Sequence, residues 1–163
     1  MSKLFYFAYG SNLYPNRLHK RVPSATFVTN LSLKSWKLYF HKKGDDESAK
    51  CNIVKTDSSK DIVYGVIYRF NADEKGKLDR VEDGYNPGKI QIDKFDDVLV
   101  YMAKKEKIDD SLLPYTWYKD IVIAGAAFHN FPEGYIAFIN SFDAVIDPDQ
   151  ERERRERLII API

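Results

Sequence analysis

Two stretches of this chain can be satisfied only inside a sheet. Residues 4–9, LFYFAY, and residues 62–70, IVYGVIYRF, are apolar or aromatic almost without interruption and offer no polar face to water. Runs of this kind suit strands covered on both sides. The second is broken by Gly65, which fits a bend or a close backbone approach. The first hands over at Gly10, Ser11 and Asn12 to residues that suit a tight turn.

Around these strands the remaining elements follow from pattern. NLSLKSWKLYF alternates apolar and polar but changes phase between Leu33 and Trp36, as a bulged strand would. CNIV reads as another central strand, whereas HKKGDDESAK and KTDSSKD read as loops. In NADEKGKLDRVEDGY, Asn71 and Glu74 match a capping box and Gly84 a helix stop. KIQIDKF and DVLVYMA alternate well enough to pair through a turn at Asp96 and Asp97. Helical spacing then runs from Trp117 to Phe128 after Pro114, and again from Pro132. IDPDQERERRER reads as a solvated last helix capped by Asp147, with Pro148 at its first position. Strands early and helices late predict an α+β fold, with a mixed or antiparallel sheet that curls into a small β-barrel flanked by helices. The absence of repeats or low-complexity linkers gives a single domain over 1–163.

Charge narrows the function. With 25 Lys and Arg against 24 Asp and Glu, no global field draws the chain to nucleic acid or anionic lipid. The basic clusters RLHKR and HKK lack interleaved aromatics and read as solvated faces. The partner this leaves is a small molecule, and the abundant Tyr and Phe leave room for a homodimer surface. A single cysteine, Cys51, forms no internal disulfide and reads as a small buried residue. That usage suits a cytoplasmic protein, and the six apolar residues between Lys3 and Gly10 are too few for a secretion signal. His19, His41 and His129 have no metal-ligand spacing and read as surface or loop residues.

Two places offer chemistry. Gly10 allows a ligand to approach the main chain, with Ser11 and Asn12 adding short polar arms; a ligand-free hairpin turn uses the same residues. On the predicted short helix, Leu78 and Val81 mark the inward face and Glu82 falls about 40° from Leu78. A carboxylate on that flank loses hydration and is prepared to exchange protons near neutrality, unless it reaches out to water.

FYFAYGSNL, DIVYGVIYRFN, LDRVEDG, YKDIVIAGA and FPEGYIAFI, in that order and spacing, resemble the γ-glutamylcyclotransferase family, which includes AIG2-like and BtrG-like proteins. The resemblance covers residues 5 to about 148. It implies catalysis by Glu82 and a substrate loop from Tyr6, Phe7, Ala8, Tyr9, Gly10 and Ser11 to Asn12 and Leu13. It also sets Tyr118 near the carboxylate end of the substrate. The implied reaction turns a γ-glutamyl amine or γ-glutamyl amino acid into 5-oxoproline and free amine, with no metal or cofactor; a non-catalytic AIG2-like binding module is the alternative. The family's aromatic about seven positions after the catalytic Glu is replaced here by Lys89, with Tyr85 as the nearest aromatic, which bears on the leaving group.

Overall fold

The computed structural model describes residues 2–161. Its centre is the predicted pair of apolar strands. β1 (Lys3–Ala8) lies antiparallel to β5 (Ile62–Asn71), with Tyr6 opposite Tyr68, and parallel to β7 (Phe95–Ala103) at Leu99. With β2 (Thr26–Lys34) and β6 (Tyr85–Ile92) they form one mixed sheet in the order β2-β5-β1-β7-β6. Phe7, Ala8, Val63, Val66 and Ile67 have no solvent exposure, as the unbroken apolar runs require.

The sheet does not close into the expected barrel. β3 (Trp36–Lys43) and β4 (Ala49–Lys55) form a separate two-stranded sheet. The phase change near Leu33 is therefore no bulge but the point where the chain changes sheets. There Ser35 takes φ +65° and its N–H donates to Asp61 O at 2.8 Å. The bulge in β2 lies earlier, between Phe27 and Thr29. Where a barrel would continue its backbone ladder, the Asn52 side chain accepts the Ala103 N–H at 2.8 Å. CNIV thus sits in the hairpin rather than in the centre of the main sheet.

Helix starts differ from the sequence expectation where side chains found better partners. Helix α2 (Lys75–Val81) follows a 3₁₀ turn over Ala72–Glu74, and Asn71 makes no capping bond. Glu74 instead accepts from the backbone N–H and hydroxyl of Ser24, so no capping box forms. The β6–β7 turn falls at Asp93 and Lys94, and Asp96 and Asp97 lie within β7. α3 (Thr116–Phe128) and α4 (Glu133–Asn140) occupy the predicted regions. α5 (Gln150–Arg157) is capped by Asp149, which accepts the Arg152 N–H. Asp147 is buried, accepting from Trp117 Nε1 and from two guanidinium nitrogens of Arg152. Those bonds hold its carboxyl down at about 2.

His41 and His129 also depart from expectation, being only 7% exposed. His41 lies in β3, with Asp110 and Asn52 each 2.9 Å from a ring nitrogen. His129 follows α3, with Nε2 2.7 Å from Leu13 O. Among the described residues, no helix is long and apolar enough to cross a membrane.

Gly65 is a close-approach glycine, as its position suggested. A Cβ there would lie 2.3 Å from the Phe7 ring and 2.6 Å from Ala8 O. Gly65→Ala is expected to lower stability by about 1–3 kcal/mol through overpacking, although alanine favours folded backbone over glycine elsewhere. Denaturant unfolding would read this, and an unchanged midpoint would contradict it.

Candidate functional site

β1 delivers its last aromatic residues to one end of the sheet, where the chain turns. Gly10 precedes a 3₁₀ turn over Ser11–Leu13, closed by Leu13 N–H donating to Gly10 O at 3.0 Å and Tyr14 N–H to Ser11 O at 3.3 Å. In such a turn the first N–H groups, those of Ser11 and Asn12, have no carbonyl partner within it. A Cβ on Gly10 would lie 3.0 Å from Cys51 Cβ, so the absence of a side chain here lets the β3–β4 hairpin pack closely against the turn. From behind, Tyr68 OH donates to Leu13 O at 2.9 Å, which leads into α1 (Pro15–Arg21).

Asn12, 3% exposed, ties the turn to the end of α2. Its Nδ2 donates to Tyr6 OH and to Glu82 Oε1, each at 2.9 Å, while its Oδ1 accepts from Arg21 Nη1 at 2.9 Å. Every hydrogen-bonding direction but one acceptor lone pair is thereby used. Arg21 Nη1 also lies 3.9 Å from Glu82 Oε1.

Glu82 is sheltered, with its side chain 14% exposed, but not for the reason helical spacing gave. Val81 is 45% exposed and Leu78 alone is buried in α2. Glu82 is the residue that ends the helix, at ψ +36°, and that change of direction sends its side chain into a cavity. Burial raises its pKa above the ordinary carboxylate value, against opposing pulls from Arg21, Lys42, the Asn12 amide and Arg17.

The cavity has two adjoining parts that share lining residues. A recess of ≈ 30 Å³ is lined by Tyr6, Tyr9, Gly10, Ser11, Asn12, Cys51, Glu82, Tyr85, Tyr101 and Tyr118. A wider chamber of ≈ 230 Å³ shares Ser11, Glu82, Tyr85 and Tyr118 with it. The recess walls are fixed by their phenols: Tyr9 OH donates to Tyr101 O at 2.5 Å and Tyr85 OH to Cys51 O at 2.6 Å. Tyr118 OH accepts the Cys51 N–H at 3.0 Å. Burial holds these phenols well above their usual pKa and pushes the Cys51 thiol to about 12. They are therefore neutral walls at physiological pH, and Cys51 is no nucleophile.

Of the residues singled out in the sequence, the structure brings Tyr6, Tyr9, Gly10, Ser11, Asn12, Tyr118 and Glu82 around this cavity. Phe7 and Ala8 do not line it. Strand alternation sends Phe7 to the opposite face against Gly65, and Ala8 is fully buried in the sheet opposite Val66. Lys89 is also outside the lining, whereas Tyr85 is part of it. The basic clusters are only partly the solvated faces expected: His19, Lys20 and Lys43 are exposed, whereas Arg17 and Arg21 from one and Lys42 from the other line the chamber. Arg17 and Arg21 stand four residues apart on α1, one face of a helix, which is a signal present in the sequence. Lys42 had none, because a register shift between Phe40 and Lys42 decides where it points. α5 is not simply solvated either, since Arg152 and Glu156 form part of the chamber wall.

Residues 6–120 match the family model described as gamma-glutamyl cyclotransferase, AIG2-like. The chain belongs to this family. Bovine gamma-glutamylcyclotransferase is 30% identical over 146 residues, covering 85% of this chain and 78% of its own. The human enzyme of that name is 30% identical over 144 residues, covering 80% and 73%. Among solved structures, a gamma-glutamyl cyclotransferase superposes with TM-score 0.73 at 24% identity, covering 94% of this chain and 99% of its own. A human protein described as uncharacterized reaches 0.78 at 24% identity, covering 99% and 100%. These two structures share the fold.

The raised pKa of Glu82 sets a stability prediction. Its folded-state pKa lies above the unfolded value of 4.5, so the folded protein binds the proton more tightly. Ionisation then lowers stability as pH rises from the unfolded towards the folded pKa. Glu82→Gln, which fixes a neutral group in the same shape, is expected to raise the melting temperature at pH 7. That gain should shrink on titration to below pH 4.5. A variant less stable than wild type at pH 7 would contradict the sign.

Proposed function

We propose that the protein is a γ-glutamyl cyclotransferase, converting a γ-glutamyl amide to 5-oxoproline and a free amine, with Glu82 as general base and then general acid. The observation that carries this is the Glu82 carboxylate, sheltered at the junction of recess and chamber and held 2.9 Å from Asn12 Nδ2. The family membership and its curated enzymes support the same reaction.

The chemistry needs little beyond shape and one proton carrier. The substrate's own α-amine attacks its γ-carbonyl carbon; a new C–N bond closes a five-membered ring and the original amide C–N bond breaks. Both groups belong to one molecule, and well-oriented intramolecular reactions reach effective molarities of about 10⁵ M or more. The turn and the tyrosine walls would hold the glutamyl chain curled. An α-amine of ordinary pKa near 8 is mostly protonated at neutral pH. Glu82 takes a proton from it and returns one to the departing nitrogen. A carboxylate raised by burial is a stronger base than an exposed one, and so better matched to this transfer. The Ser11 and Asn12 N–H groups can receive either the oxyanion or the substrate α-carboxylate. Tyr118 supplies a rigid wall on the boundary with the chamber. We also assign the enzyme to the cytoplasm, where its one thiol stays reduced.

Glu82→Gln is expected to reduce 5-oxoproline release by about 10²- to 10⁴-fold, the usual contribution of a positioned acid–base group, while a γ-glutamyl amide still binds by calorimetry. Turnover at the wild-type rate would refute the assignment. Wild-type binding without any 5-oxoproline would instead make the protein a ligand-binding module.

A further inference from the structure

Lys42 is an unusual residue for the position it holds. It is 5% exposed, and lysine is almost never buried to this degree unless paired with an acid. Its Nζ donates to Asp83 O at 2.7 Å and stands 4.6 Å from the centre of the Tyr85 ring. Both are neutral partners, and among the described residues no carboxylate comes within ion-pair distance of it. The other cations of the chamber differ. Arg17 has Glu156 at 2.6 Å, Lys50 has Asp46 at 2.8 Å and Arg152 has Asp147 at 2.6 Å. Arg21 is engaged with Asn12 and Glu82. Burial lowers the pKa of Lys42, against the more distant pull of Glu82, Asp45 and Asp83.

The chamber has the room that the recess lacks, so with the reacting atoms at Glu82 the departing amine and its substituent extend into it. Resting on the function proposed above, we infer that Lys42 is a specificity-determining residue: it receives an anionic group carried by the leaving amine, favouring γ-glutamyl amides whose released half bears a carboxylate over those releasing a neutral or cationic amine. A buried ammonium with only neutral partners gains most from a charge-assisted bond to such a group.

Two substrates separate the carboxylate of the leaving half from that of the glutamyl half: the γ-glutamyl amides of alanine and of ethylamine, which share the glutamyl part. Wild type is expected to prefer the alanine compound. Lys42→Met keeps the aliphatic stem against Tyr85 and removes the charge. It should lower kcat/KM about 10- to 100-fold more for the alanine compound than for the ethylamine compound, the range of a hydrogen bond to a charged group, any change shared by both substrates reporting the pull of Lys42 on Glu82. Lys42→Arg should restore the preference, and Lys42→Glu should shift it towards the amide of 1,4-diaminobutane.

Equal losses on both substrates would overturn the inference, since Lys42 would then serve the glutamyl half, Glu82 or the fold. No change on either would overturn it as well. Failure of wild type to release 5-oxoproline from any of the three amides would count against the cyclotransferase proposal itself, a result distinct from an active enzyme indifferent to Lys42.

Discussion

The site depends on one amide. Asn12 joins Tyr6 of β1 and Arg21 at the end of α1, both close to it in sequence, to Glu82 at the end of α2, 70 residues further along the chain. Because it donates twice and accepts once, it fixes the position of the carboxylate and the direction of the turn together. Aspartate in its place would lack the donors, and alanine would leave Glu82 without its one short-range neutral partner. The turn in turn rests on the Tyr68 bond to Leu13 O. Nothing in that chain of contacts is long or flexible, which suits a reaction whose main requirement is a fixed, folded-back substrate.

The carboxylate itself works against folding. It is buried, and it lies at the carbonyl end of α2, where a helix disfavours negative charge. Arg21 and Lys42 offset part of this, but the net effect still raises the pKa of Glu82. Complete neutralisation by a close bidentate arginine would have made Glu82 more stable as an anion and a weaker base. At 3.9 Å, Arg21 is near enough to retain the anion and too far to hold it as a tight ion pair. A local loss of stability at a buried titratable group is a common feature of functional sites, and it fits the proton transfer proposed for Glu82.

Much of this was legible in the sequence, and the failures share a cause. The central strands were readable because an apolar run has only one place to go. The Gly10 turn and the acid after the short helix were readable because residue type and position agreed. Closure of the barrel was not, since it hinged on whether one backbone ladder or the single Asn52 side chain would bridge β4 and β7. The shelter of Glu82 was expected from its angle on the helix, yet it arises from the end of that helix. Periodicity describes residues inside an element, and the residue that terminates one escapes it. Phe7 and Ala8 were assigned to the substrate loop as part of a continuous motif, whereas alternation along β1 turns Phe7 to the face opposite Tyr6 and Ala8, on the face of Tyr6, is fully buried in the sheet. His41, His129, Arg17, Arg21 and Lys42 are polar residues that composition sends to the surface and that specific partners hold inside.

The two-part cavity sets a tight recess beside a wider, charged chamber. Recess residues come from the start of the chain, from β4, from the end of α2 and the start of β6, from β7 and from α3, all inside the stretch 6–120 that matches the family model. Arg152 and Glu156 of the chamber come from α5, beyond that stretch. Their ion pairs with Asp147 and Arg17 hold α5 in place as a wall. In the proposed reaction such an arrangement lets the cyclising end of the substrate meet the tight, neutral tyrosine walls of the recess while the wider, charged chamber takes the departing amine.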